Sequence, residues 1–195
     1  MSNEKKFDRK QHLESPLPWL VRLRDLLLGK RRPDIYTRMM FHINLIICIT
    51  FLLWNLVGYI SILSRKEIED IKGVEIEKII HERGVHLGFE AEDFADRLMV
   101  LYGIGVICWL IFFFGLTLLY RKHRQFVYFT LGPLLFYVGM HLFYMNFQFF
   151  AQDVTFTDKV LLLTVVTSIG FHAYFMRNER RGGSISFFGV AEDDA

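Results

Sequence analysis

Hydrophobic and polar positions along this chain fall into long blocks, with no short alternation. Four blocks contain no Asp, Glu, Lys or Arg: between Arg38 and Arg65, Arg97 and Arg121, Arg124 and Asp153, and Lys159 and Arg177. The first three exceed the roughly 20 residues that a helix needs to cross a bilayer core. The fourth holds 17 residues, at the short limit, so Lys159 is expected to reach back to the interface. Runs of this kind predict helices, because a lone strand would leave its backbone groups unpaired in lipid. The pattern predicts an all-α integral membrane protein, with transmembrane helices at 36–64, 97–120, 125–150 and 159–176 forming a four-helix bundle. Segments 1–35, 65–96, 121–124, 151–158 and 177–195 lie outside it. The few residues joining the second and third helices make those two adjacent and antiparallel, and pairs one–two and three–four are expected as hairpins.

Charge placement orients these helices. Ten basic residues, from Lys5 to Arg38, precede the first block. Arg121, Lys122 and Arg124 lie in the tight connection, and Arg177, Arg180 and Arg181 follow the last block. Segment 65–96 carries five basic and ten acidic residues, and 151–158 carries Asp153 and Asp158 with no basic residue. The positive-inside bias therefore predicts both termini in the cytoplasm. Residues 1–14 lack the apolar core of a signal peptide, so the first helix is expected to stay as an anchor. A bacterial inner membrane suits the length and the 20 phenylalanines.

Three pieces outside the blocks carry local signals. Residues 15–29 place Leu17, Leu20, Leu23 and Leu27 on one face, with Arg22 and Asp25 opposite. This predicts an amphipathic interfacial helix, with Trp19 at headgroup depth and Lys30, Arg31 and Arg32 facing anionic lipid. Segment 65–96 is expected to be partly helical, broken near Gly84 and Gly88. Its His81 and His86 are five apart, which does not suit two metal ligands on one helical face. In the C-terminal tail, Ile185, Phe187, Phe188 and Val190 form a short apolar patch; the tail is read as a disordered end, with docking of this patch on a partner by strand addition as the alternative.

Inside the blocks, polar and small residues form stripes at helical spacing. Asn44, Cys48, Asn55 and Tyr59 share a face of the first helix. Tyr137, His141, Tyr144 and Gln148 share one of the third, with Pro133 on the same side, where it can kink the helix. Gly105, Cys108 and Gly115 form a small-residue stripe in the second, and Thr164 and Ser168 share a face of the fourth. Such stripes are how membrane helices associate, since lipid gives no hydrophobic reason to pair. They are read as packing seams, with a polar pocket at His141 and Asn55 as the functional alternative. With only Cys48 and Cys108, both inside apolar blocks, no disulfide framework is indicated.

The formal charge of +2 names no partner, and the basic N-terminus is accounted for by topology, so nucleic-acid binding is not expected. None of the blocks contains a charged residue, which argues against proton- or ion-coupled transport through a buried carboxylate. No G-x-S-x-G, H-E-x-x-H, P-loop or Cys-x-x-Cys is present, so no enzyme class is indicated and no catalytic residue is assigned. His42, His141 and His172 lie in the blocks, His42 and His172 at similar depth. An Arg38 shortly before His42, together with four helices, resembles the bacterial b561-type cytochromes, which implies haem b held by histidines. Ile43 stands where that family commonly has Trp, and the second block has no His. The reading favoured is an accessory or assembly subunit acting through protein–protein contacts in the bilayer, with no cofactor. A homo-oligomeric pore or membrane-perturbing effector is the alternative, and a haem- or quinone-binding redox subunit the third.

Overall fold

In the computed structural model, residues 33–73, 75–90 and 93–179 are described, with Trp19, Leu28 and Gly29 from the segment before them. The division between this segment and the rest of the chain falls after Arg32. Within the segment Trp19 and Leu28 are helical, Trp19 is exposed, and Gly29 has φ +82°. The remainder of the expected helix at 15–29, the cluster Lys30, Arg31 and Arg32, and the C-terminal patch lie outside the described residues.

From Pro33 onward the described residues are helical and include no strand. The elements are α1 (Ile35–Leu63), α2 (Arg65–Lys72), α3 (Ile76–His86), α4 (Asp93–Tyr120), α5 (Phe126–Gly139), a π-helical turn (Met140–Tyr144), α6 (Phe147–Gln152) and α7 (Phe156–Glu179). Four helices are long and apolar enough to cross a membrane: α1, α4, α5 with its π-turn, and α7. This is the mark of an integral membrane protein. Helix α4 packs along both α1 and α5, and α7 touches α1 and α5, which puts α4 and α7 diagonally across from each other.

The polarity of these helices is inverted relative to a water-soluble fold. On α1, Ile46, Leu53, Trp54, Val57 and Ile60 face outward, while Asn44 and Asn55 are fully buried. A helix apolar on all sides finds its place in lipid, and its few polar groups turn inward to find partners.

Two ends can be distinguished. At the basic end, Asp34 caps α1. Its carboxylate accepts from the Thr37 amide (3.0 Å) and hydroxyl (2.8 Å) and pairs with Lys122 in the α4–α5 connection (2.7 Å). Lys122 has φ +53°, so the connection is held in a strained turn that aims its side chain back at α1. At the acidic end, α2 and α3 form a helical hairpin whose turn is at Gly73 (φ +63°). There the sequence expectation needs correction. The break comes at Gly73 and Gly88, whereas Gly84 is inside α3, with the Phe94 side chain so close that a Cβ would lie 2.6 Å from it. Gly84 serves contact there, not chain reversal.

Three helix limits also differ from those expected. Helix α4 begins at Asp93, where Asp93 and Asp96 favour the positive end of the helix dipole. Helix α7 begins at Phe156, after Thr155 and Asp158 close a reciprocal pair of hydrogen bonds (2.8 and 3.1 Å). The third span ends at Tyr144, short of 150. Asn146, at φ +73°, reverses the chain there, accepting from the Phe149 amide (2.8 Å) and donating to the Leu87 carbonyl (3.1 Å). Pro133 does not interrupt α5. Its ring leaves the Phe129 carbonyl without the usual amide, and that backbone lies against Gly115, where a Cβ would come within 2.7 Å. Lys159 donates to the Ala151 carbonyl (3.0 Å) over the Phe150 ring.

The pair at Asp34 has a defined pH signature. Partial burial alone would raise its pKa. The hydrogen bond to Lys122, those from Thr37 and the Lys122 charge outweigh that and hold the carboxyl at about 2. A lowered pKa stabilises the folded chain above the unfolded carboxylate value, about 3.9, and that contribution is lost as pH falls through about 2. Asp34→Asn, which keeps a capping oxygen, should therefore lower stability by on the order of 0.5 kcal/mol at neutral pH, given the solvent exposure of the pair. The difference from wild type should fade below about pH 4. Thermal melts of both proteins in detergent across that range are the check, and a gap that widens at low pH would contradict it.

Candidate functional site

The polar stripes meet inside the chain. Asn55 on α1 donates through Nδ2 to its own Phe51 carbonyl (2.7 Å) and to the Tyr137 hydroxyl of α5 (3.2 Å). That hydroxyl lies 3.4 Å from Asn55 Oδ1. The carboxamide fits because Gly105 of α4 faces it: a Cβ there would be 2.0 Å from Asn55 Oδ1. Three helices are thus joined at one amide. The aromatic packing around it is dense, with Trp109 stacked on Phe51 (centroids 4.7 Å apart, planes at 3°) and edge-on to Tyr137 (5.7 Å).

A second seam lies nearer the basic end. Ser168 of α7 donates to Asn44 Oδ1 (2.9 Å), with the Val165 carbonyl as its other acceptor (3.0 Å), and Asn44 Nδ2 donates to the Met40 carbonyl (2.8 Å). Tyr59 packs on Gly103 of α4, and Tyr102 packs on Gly58 of α1. Cys48 and Cys108 are buried free thiols. Thr164 bonds back to its own helix at Val160.

His141 sits in the π-turn, 8 % exposed. Single π-turns occur often at functional positions. Its Nδ1 is 2.9 Å from the Tyr137 carbonyl. A carbonyl only accepts, so Nδ1 carries the proton and Nε2 of the neutral ring is an acceptor. His141 lines a cavity of about 50 Å³ beneath the acidic end. Its polar lining also includes Tyr102, Tyr137, Asp153 and Asp158, and its walls Phe51, Trp54 and Phe149.

The acidic end holds this cavity in shape. Arg83 of α3 pairs with Asp153 through Nη2 and Nε (3.0 Å for the latter). This keeps the guanidinium still more firmly charged. Arg97 donates to the Tyr144 carbonyl at the end of the π-turn (3.1 Å), with its guanidinium over the Phe89 and Tyr144 rings. Leu87, Phe94, Leu98, Met145 and Phe149 form the apolar core behind these contacts.

Other expected positions are placed apart. Gln148 is exposed on α6, beyond the reversal at Asn146, so it does not continue the Tyr137–His141 stripe. Tyr144 is half-buried under Arg97. His42 is exposed and bonds to its own Arg38 carbonyl (2.5 Å), whereas His172 is buried, stacked on Tyr36 with Phe126 edge-on. Both ring nitrogens of His172 and the Tyr36 hydroxyl are buried without a hydrogen-bond partner. Among the described residues no three His, Cys, Asp or Glu side chains are grouped to hold a metal. Tyr102, Asp153 and Asp158 also line the cavity, and no sequence pattern singles them out as site residues. In the sequence the two aspartates mark only loop polarity, and nothing in their spacing relates them to His141.

Comparison of the chain with protein-family models, with curated proteins and with solved structures gives no match.

The Asn55–Tyr137 bond should show as a coupling between the two positions. In a double-mutant cycle of Asn55→Ala and Tyr137→Phe, the interaction energy is expected near 0.6 kcal/mol, and below about 1.7 kcal/mol, the range for hydrogen bonds between membrane helices. Gly105→Ala forces the carboxamide aside and should cost about 1–3 kcal/mol. Unfolding in mixed micelles measures all four, and strictly additive effects of Asn55 and Tyr137 would mean that no such bond forms.

Proposed function

We propose that this chain is an accessory or assembly subunit of a bacterial inner-membrane complex, working through protein contacts and not through catalysis. In this reading its four long helices form a bundle, with both termini cytoplasmic and the α2–α3 hairpin outside. The observation that carries it is on that hairpin. Ile71, Ile79 and Val85 are exposed, Ile71 at 82 %, on two helices that are otherwise strongly charged and lie beyond the apolar spans. Large aliphatic side chains left open in a water-facing segment suit a partner surface. The excess of acidic residues in 65–96 suits a partner that is basic around an apolar centre.

The other two readings draw less from the geometry. The polar faces of α1 and α5 that would line a pore are turned to each other within one chain, at Asn55 and Tyr137. For a haem or quinone, His42 faces outward and His172 inward. The cavity at His141, at about 50 Å³, is well below the roughly 300 Å³ at which pockets for larger ligands begin.

Native mass spectrometry after gentle extraction from the protein's own membranes tests this. A defined hetero-complex is expected, and Ile71→Glu with Ile79→Glu should release the partner without lowering the melting temperature of the isolated chain. A closed homo-oligomer without partners would overturn the proposal and make ion flux in liposomes the next measurement. The orientation has its own check: cysteines introduced at Glu67 and Glu82 should react with an impermeant reagent added outside. Protection of both until the membrane is broken would reverse the topology.

A further inference from the structure

The cavity beneath the acidic end is rich in acceptors and poor in donors. Asp153 spends Oδ1 on Arg83, and Asp158 accepts from the Thr155 hydroxyl through Oδ2 (2.8 Å). Each carboxylate keeps a second oxygen. His141 adds Nε2, an acceptor once Nδ1 is committed to the Tyr137 carbonyl. The Tyr137 hydroxyl is engaged with the Asn55 amide. Among the described residues no Lys or Arg lines the space: Lys159 is turned to the Ala151 carbonyl over Phe150, and Arg83 offsets only one of the two negative charges. The remaining walls are the rings of Phe51, Trp54 and Phe149 and the aliphatic side chains of Leu101, Val154 and Leu162.

Acceptors, one uncompensated carboxylate and aromatic rings together complement a small cation that carries several N–H donors. Size and donor count narrow the choice. About 50 Å³ is a small space, where roughly 10–15 Å³ of such volume takes one water, so a small amine head suits it. A trimethylammonium group has no N–H to give to these acceptors. We infer that this cavity binds a protonated primary amine, seated between Asp158 and His141 against the aromatic wall.

Such an amine has two possible sources. Trp54 is 63 % exposed on the outward face of α1, so the cavity borders the apolar surface from which a lipid headgroup amine would enter. Asp153 and Asp158 border the water-facing end, from which a free amine would enter. The inference does not depend on the accessory-subunit reading, since the isolated chain contains every residue involved.

The test uses the purified full chain in two arms. In the first, melting temperature in detergent is followed against ethanolamine, choline and ethylene glycol. A saturable rise with ethanolamine only is expected, with apparent affinity at least about tenfold above choline. In the second, the protein in nanodiscs of mixed phosphatidylethanolamine and phosphatidylcholine is released for native mass spectrometry, and retained lipid is counted. Preference for phosphatidylethanolamine without an ethanolamine response assigns the lipid source, and a response to ethanolamine assigns the free amine. Asp158→Asn should abolish either response. Leu162→Phe, which fills the cavity with an apolar ring, should do the same, and it keeps the test decisive if the aspartate variant does not fold. Equal responses to ethanolamine and choline with no lipid preference would overturn the inference, as would a selectivity that survives in both variants.

Discussion

The Asn55 carboxamide, seated against Gly105 and shared with Tyr137, is the interaction on which the helix arrangement turns. In lipid, apolar surfaces gain nothing by leaving the solvent for one another, so helix association relies on close packing and on polar groups that have no other partner. Gly105 supplies the closeness and Asn55 the polar group. The amide also bonds to the Phe51 carbonyl on its own helix, which holds its side chain in place. It then sets the register of α1 against α4 and α5 together. Trp109, stacked on Phe51 and edge-on to Tyr137, fills the space that such an arrangement leaves.

The two ends are fastened by different means. At the basic end one carboxylate both caps α1 and holds the α4–α5 connection, so Asp34 links the helix start to its neighbour. At the acidic end a broader set of contacts draws the α2–α3 hairpin onto the α5–α7 connection, through Arg83 with Asp153 and Asn146 with Leu87. Arg97 reaches the same place from α4 and takes a carbonyl that the π-turn leaves open. The small cavity exists because of this second fastening. Its carboxylate rim comes from the α6–α7 connection and the start of α7, and its floor from His141 and Tyr137 one turn apart on the third span.

These features separate the protein's interior from its surfaces. The hydrogen bonds of Asn44, Asn55 and Ser168 are spent inside, and the outward faces of the long helices are aliphatic and aromatic, as lipid requires. The exposed Ile71 and Ile79 fall outside that logic, because they stand on short charged helices beyond the apolar spans. In the accessory-subunit reading proposed above, they meet a partner.

Much of the architecture was determined by the sequence itself. A run without charge that is long enough to cross a bilayer has one backbone solution, so four helices and their adjacency across 121–124 could be read directly. The stripes containing Asn55, Tyr137 and Gly105 followed from helical spacing, though spacing alone does not say which stripe meets which. Only the tertiary structure decided that Asn55 faces Gly105 and Tyr137, that Ser168 meets Asn44, and that Gln148 leaves its stripe. The reversal at Asn146 depends on the Leu87 carbonyl, 59 residues away in the chain, and no local pattern carries a bond of that range. The site residues Tyr102, Asp153 and Asp158 are of the same kind. Each is ordinary in its own segment and gains meaning only when α4, the α6–α7 connection and the π-turn are brought to one cavity by contacts distant in sequence.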